Sequence, residues 1–195
     1  MSEKRRIFNR NFGTASYRKL FIISCEGSVT EPQYFSSLNQ HVHIEPLYAK
    51  GNSAPSHVLK RMKDAIDKIS IRDGSEAWLV IDKDRWPDDQ IKHLFEWTSS
   101  KEKVFKGLAV SNPKFELWVL LHFEDVIKPN NCSNRLGKYM PGYNKSLDNK
   151  KIGLPMIKCA IERAEKLDSP QCRDWPKKTG TTVYRLVKNI LNSCP

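Results

Sequence analysis

Ala77-Trp78-Leu79-Val80-Ile81-Asp82-Lys83-Asp84-Arg85-Trp86 is an apolar run that stops on two acids separated by one residue. Four successive large apolar side chains are too few to cross a membrane and too continuous for a strand with one wet face. The stretch therefore reads as a strand buried on both sides, which requires covering layers above and below it. If the extended backbone persists for two more residues, Asp82 and Asp84 project to the same side and Lys83 points away. Carboxylates held side by side repel unless they share a proton or a cation, so a pair at a strand's end suggests a site for a hard metal ion.

The flanking sequence supplies the layers. Leu20-Phe21-Ile22-Ile23-Ser24-Cys25 is a second buried-strand candidate that ends at Glu26-Gly27, where Gly27 permits a tight turn. Thr30 then reads as a helix cap, Pro32 as a first-turn residue and Gln33 as the partner in a capping box, with a helix through about Leu38. His43 to Tyr48 reads as a strand placed towards a sheet edge by Pro46. Val58, Met62, Ile66 and Ile69 fall at helical spacing, as expected of an amphipathic helix that covers a sheet. Pro87-Asp88-Asp89 starts another helix, Val104 to Val110 is a fourth strand, and Asn112-Pro113 caps and starts the apolar helix Phe115 to Phe123.

Strand and helix alternate four times, which gives an α/β layered domain with a mainly parallel four-stranded sheet, Rossmann-like in its layering. The expected organisation is a basic arm over residues 1–18, an α/β core over 19–128, and a helical extension over 129–195 packed on that core. Helices are expected from Pro155 to Leu167 and from Thr181 to Leu191.

Composition narrows the function. The 195 residues carry a formal net charge of +11, which favours phosphate-rich partners, nucleic acid first and anionic membrane second. No run approaches the ~20 apolar residues of a membrane helix, and the N-terminus lacks the apolar core of a secretion signal. A cytoplasmic protein with no membrane partner is expected. Cys25, Cys132, Cys159, Cys172 and Cys194 are odd in number, scattered and without a C-x-x-C pair, so reduced thiols are expected rather than disulfides or zinc.

Ligands of open parallel sheets bind beyond the carboxyl ends of the strands. Glu26 closes the first strand, Asp82 and Asp84 close the third, and Glu116 opens the helix after the fourth, so all four converge on one edge. Oxygen donors of this kind suit Mg²⁺ or Mn²⁺, which meet substrate phosphates and activate water. Phosphodiester chemistry is the expectation. Lys83 and Arg85 beside the acids, and Arg5 and Arg6 in the arm, are candidate phosphate contacts. Plainer readings stand beside this one: D-x-D as a solvated turn, Glu26 paired with Arg85, Glu31 as a helix-dipole partner, and His57, His93 and His122 as packed or surface imidazoles.

Four segments together, Glu26-Gly27-Ser28-Val29-Thr30-Glu31-Pro32-Gln33-Tyr34-Phe35, Ile81 to Trp86, Ser111 to Trp118 and Thr182 to Val187, resemble the RloB-like proteins. That resemblance implies a Toprim-related fold, encoded near restriction and other phage-defence systems, in which a strand-end glutamate and a following D-x-D bind Mg²⁺ to cleave nucleic acid. By it, Glu26 is the general acid/base or metal-associated glutamate, Asp82 and Asp84 hold the metal, and Glu116 is a third or outer carboxylate. Lys83, Arg85 and Trp86 replace the small residues usual around the Toprim D-x-D. Two alternatives remain open. One is a non-catalytic nucleic-acid-binding or scaffold subunit working with a partner ATPase or restriction-system component. The other is a Mg²⁺-dependent phosphatase, in which D-x-D would normally follow the first strand rather than the third.

Overall fold

Along the central strand, β3 (Glu76–Asp82), Trp78 and Val80 enter one hydrophobic core while Ala77, Leu79 and Ile81 enter another. The opening run is thus buried on both faces, as its continuous apolar character requires. The computed structural model of the chain describes residues 18–39, 42–48, 51, 53–69, 71–84, 86–100, 104–128 and 130–193. The remaining residues, including Arg5, Arg6 and Arg85, lie outside the described set.

Strands β1 (Leu20–Cys25), β2 (His43–Leu47) and β4 (Phe105–Asn112) run parallel with β3 in the order β2-β1-β3-β4. The short β2, with Pro46, occupies the edge. A fifth strand, β5 (Gly180–Thr181), which periodicity did not reveal, joins β4 antiparallel through Ser111 and Asn112. The sheet is therefore five-stranded and mostly parallel, in a Rossmann-like α/β arrangement. After β1 the chain moves outward to β2, then returns past β1 to β3. This reversal leaves a crevice at the carboxyl ends of β1 and β3, where such sheets place their ligands.

Helices α2 (Pro55–Lys68) and α3 (Asp88–Thr98) cover one face through Val58, Met62, Ile91 and Leu94. Helices α1 (Thr30–Ser37), α4 (Phe115–Leu120), α5 (Cys132–Tyr139), α6 (Leu154–Leu167) and α7 (Val183–Asn192) form the other core. Helix α4 stops at Leu120 and continues as turns, three residues short of the expected end. Helix α7 starts at Val183 because Thr181 belongs to β5. Among the described residues no helix is long and apolar enough to cross a membrane.

Two expected caps are used otherwise. The N-cap of α1 is Val29, with no side-chain hydrogen bond. Thr30 Oγ1 instead donates to the Lys145 carbonyl at 2.6 Å, and Gln33 Oε1 accepts from Leu147 N–H at 2.8 Å. Asn112 is not the cap of α4, whose N-cap is Lys114; Asn112 Nδ2 donates to the Pro176 carbonyl at 3.0 Å. These side chains found distant partners in the C-terminal segment, which local spacing cannot reveal.

That segment is bound to the sheet by buried polar knots. Thr182 Oγ1 accepts from Val110 N–H at 2.9 Å. Asp168, 5 % exposed, accepts from Tyr184 Oη at 2.8 Å, Arg185 Nη2 at 2.7 Å and Cys172 N–H at 3.0 Å. At the opposite edge of the sheet from the crevice, buried Glu76 accepts from Lys19 Nζ at 2.5 Å, Trp78 Nε1 at 2.7 Å and Asn189 Nδ2 at 3.0 Å.

The Trp78 indole lies across Gly107, its register partner on β4. A Cβ built at Gly107 would stand 2.4 Å from the Trp78 ring, closer than real contacts allow. Gly107→Ala should therefore lower unfolding free energy by about 1–3 kcal/mol, the usual cost of overpacking, read as a reduced urea midpoint at unchanged slope. An unaltered midpoint would show that the ring has room to move.

Candidate functional site

The crevice between β1 and β3 holds a cavity of about 260 Å³ lined by Glu26, Gly27, Ser28, Val29, Thr30, Glu31, Asp82, Phe115 and Glu116 from the core, with Gly51, Ser53 and Lys145 at its margin. Each carboxylate arrives by its own local route. Glu26 follows directly on β1; its Oε2 accepts from Asp82 N–H at 3.0 Å and its Oε1 from Trp86 Nε1 at 2.9 Å. This fixes its orientation. Asp82 ends β3, and its Oδ1 accepts from Phe115 N–H at 2.8 Å. The first amide of α4 is thereby satisfied by a neighbouring strand rather than by its own N-cap.

Glu31 sits in the first turn of α1 and folds back so that Oε1 accepts from Gly27 N–H at 2.9 Å. The glycine leaves room for this: a Cβ at position 27 would lie 2.2 Å from Glu31 Oε2 and would displace the carboxyl from its present place. Glu116, in the first turn of α4, is 8 % exposed and makes no hydrogen bond or ion pair among the described residues.

Burial and mutual repulsion govern protonation here. Burial, opposed by backbone hydrogen bonds and reinforced by Glu116 and Glu26, pushes the Glu31 carboxyl up to about 7. Burial, followed by the charges of Glu31, Glu26 and Glu116, pushes Asp82 well above the usual carboxylate range. Both effects penalise the ionised form in a medium that screens charge poorly.

The structure brings Glu26, Asp82 and Glu116 to one cavity and adds Glu31, which the sequence presented mainly as a helix-dipole partner. Its proximity to the acids became visible only with the turn at Gly27. Asp84 takes another direction. Beyond Asp82 the strand gives way to a turn, closed by Trp86 N–H donating to the Lys83 carbonyl at 3.3 Å. Asp84 pairs with Lys114 at 3.1 Å and does not line the cavity. Lys83 is engaged in the same turn, donating to the Trp86 carbonyl at 2.7 Å and pairing with Asp88 at 3.0 Å. His122 is buried; its Nε2 meets Tyr34 Oη at 3.1 Å, and burial pulls its imidazole down to about 4, so it is a neutral packing group.

Among the described residues no three His, Cys, Asp or Glu side chains stand at spacings that would jointly hold a metal ion. The donor chemistry nonetheless fits a hard cation such as Mg²⁺, which keeps several waters and commonly takes only one or two carboxylates. Asp82 Oδ2 and both oxygens of Glu116 have no hydrogen-bond partner among the described residues.

Comparison with known proteins adds one match. A family model described as RloB-like protein matches residues 21–190, most of the chain. No curated protein and no solved structure matches it.

The raised Glu31 carboxyl has a stability consequence. Between the ordinary carboxylate pKa near 4.5 and about 7, the folded state binds more protons at this site than the unfolded state. Stability from this group therefore falls as pH rises through that window, by about 3 kcal/mol in total. Buried His122 acts in the opposite sense over an overlapping range, so the informative quantity is the difference between variant and wild type. In metal-free buffer, Glu31→Gln should gain stability relative to wild type by about 3 kcal/mol between pH 4.5 and 7.5, measured by urea unfolding at each pH. A pH-independent difference would mean that Glu31 is not held protonated.

Proposed function

The chain belongs to the RloB-like protein family, and from that premise we propose that it is a metal-dependent nuclease that cuts phosphodiester bonds of RNA or DNA in antiphage defence. The observation that carries this reading is Glu116. Glu116, a residue only 8 % exposed, accepts no hydrogen bond among the described residues and shares one cavity lining with three other acids, an oxygen-rich arrangement that a hard cation would complete. The position at the carboxyl ends of β1 and β3, the oxygen-only donor set and the net charge of +11 support the same reading. It agrees with the Toprim-related chemistry that the sequence resemblance implies.

In this reading Asp82 and Glu116 would hold Mg²⁺ or Mn²⁺. When bound, the ion would offset charge on the phosphodiester and lower the pKa of water. Asp84 joins that donor set only by releasing Lys114. Glu26, fixed by two N–H donors, presents an oriented acceptor at the cavity wall. Glu31, with its carboxyl near 7, is the group able to take up or release a proton at neutral pH. Its Oε1 accepts from Gly27 N–H, which holds the carboxyl against the turn. The buried Phe115 side chain forms an apolar part of the wall beside these acids.

A second reading has one observation in its favour. The carboxylates do not converge at ligand spacing as they stand, which suits a nucleic-acid-binding subunit that a partner ATPase or restriction-system component activates or reads out. Cleavage assays on a panel of RNA and DNA with Mg²⁺ or Mn²⁺ separate the two. The nuclease reading expects chelator-sensitive cutting, reduced at least ~100-fold by Asp82→Asn or Glu116→Gln in proteins that remain folded. Binding without cutting by wild type, unaltered in both variants, would favour the subunit.

A further inference from the structure

A cavity walled by four carboxylates repels a phosphodiester, so any nucleic-acid backbone entering it needs positive charge at close range. Among the described residues that line the cavity, Lys145 is the only basic residue. It comes from the C-terminal half of the chain, more than 100 positions after the β1 turn, and nothing in the sequence around it marks it as special.

The way it is held is specific. Its carbonyl accepts from Thr30 Oγ1 at 2.6 Å. Two residues on, Leu147 N–H donates to Gln33 Oε1 at 2.8 Å, and Asn149 Nδ2 donates to the Gln33 carbonyl at 3.1 Å. The Leu147 side chain is buried. Two side chains of α1 therefore fasten the 145–149 loop to the core beside the Glu26 to Glu31 turn. Lys145 itself has φ +76°, a left-handed conformation that costs a lysine of order 1 kcal/mol or more and is normally left to glycine or asparagine. Its ammonium makes no hydrogen bond or ion pair among the described residues. The loop thus carries a strained backbone at a position where lysine is a poor conformational choice, and that position lines the cavity.

We propose that Lys145 forms a subsite for a nucleic-acid backbone phosphate, and that the Thr30 and Gln33 contacts are there to place it. The proposal rests on the phosphodiester reading of the cavity. Lys145 compensates the repulsion between the substrate and the acids, and Ser28 and Ser53 on the same lining offer hydroxyl donors to the same phosphate. Lys145 is a substrate-binding residue in this scheme and takes no part in proton transfer.

The test uses the full chain, with a labelled short single-stranded RNA and its DNA counterpart, and reads affinity by fluorescence anisotropy across a salt series, alongside cleavage of the same strands. Lys145→Gly relieves the positive φ, so the variant should be at least as stable as wild type, and loss of binding cannot be assigned to unfolding. Removing one phosphate contact from a single strand lowers the log–log salt slope by about 0.7, which corresponds to about fivefold weaker binding near roughly 0.1 M salt. Lys145→Arg should keep both the slope and the affinity. Equal or tighter binding by Lys145→Gly would overturn the proposal, since a lysine serving only to neutralise the acids predicts that result. So would weakened binding that Lys145→Arg fails to restore. If wild type binds with this Lys145 dependence but cuts nothing, the nuclease reading falls and the phosphate subsite stands. If wild type cuts and Lys145→Gly matches it in affinity and KM, the subsite falls and the nuclease reading stands.

Discussion

Like charges confined in a poorly screened space are the constraint on which the rest of this molecule turns. Four carboxyl groups from three segments meet at the carboxyl ends of β1 and β3, and each is accommodated differently. Two N–H donors hold Glu26, the first amide of α4 holds Asp82, and a proton together with the Gly27 amide accommodates Glu31. Glu116 accepts no hydrogen bond among the described residues and feels the more distant charge of Lys114. The scaffold around them is correspondingly rigid: a sheet buried on both faces, with the acids at the ends of its most enclosed strands. Such a site stores electrostatic free energy that a cation or proton can release, and its surroundings prevent the acids from simply turning away.

The C-terminal segment does more than cover a face of the core. It supplies β5, satisfies the buried amide of Val110 through Thr182, and returns a loop to the cavity margin through Thr30 and Gln33. The Asp168, Tyr184 and Arg185 knot fixes the start of α7 against the end of α6. Core and extension therefore share a site, and a disturbance in either half reaches it. This joins the stability of the extension to the geometry of the acids more closely than the linear order of the chain suggests.

Much of this was legible from residue order. The uninterrupted Trp78 to Ile81 run required burial on both sides, Pro46 marked the edge strand, and the strand-end positions of Glu26 and Asp82 followed from the parallel order. Three things were not legible, each because the deciding partner is remote. Thr30 and Gln33 have the spacing of a capping box, yet their partners lie at residues 145–149. Asp84 has the spacing of a metal ligand, yet the turn after Asp82 and the approach of Lys114 redirect it. The two residues of β5 are too few to produce a periodic pattern, and Gly180 has low strand propensity. The sequence carried local geometry well, whereas pairings over long separations needed the folded chain.

Glu76, at the sheet edge away from the acids, receives Lys19 from the segment entering β1 and Asn189 from the last helix. One buried side chain thus ties together positions near both limits of the described residues and brings residues 19 and 189 within a few ångströms of a common atom pair. In topological terms the fold is nearly a ring closed by a carboxylate. That closure lies at the end of β3 remote from the cavity, so the tie between the first strand and the last helix is made without drawing on any of the cavity acids.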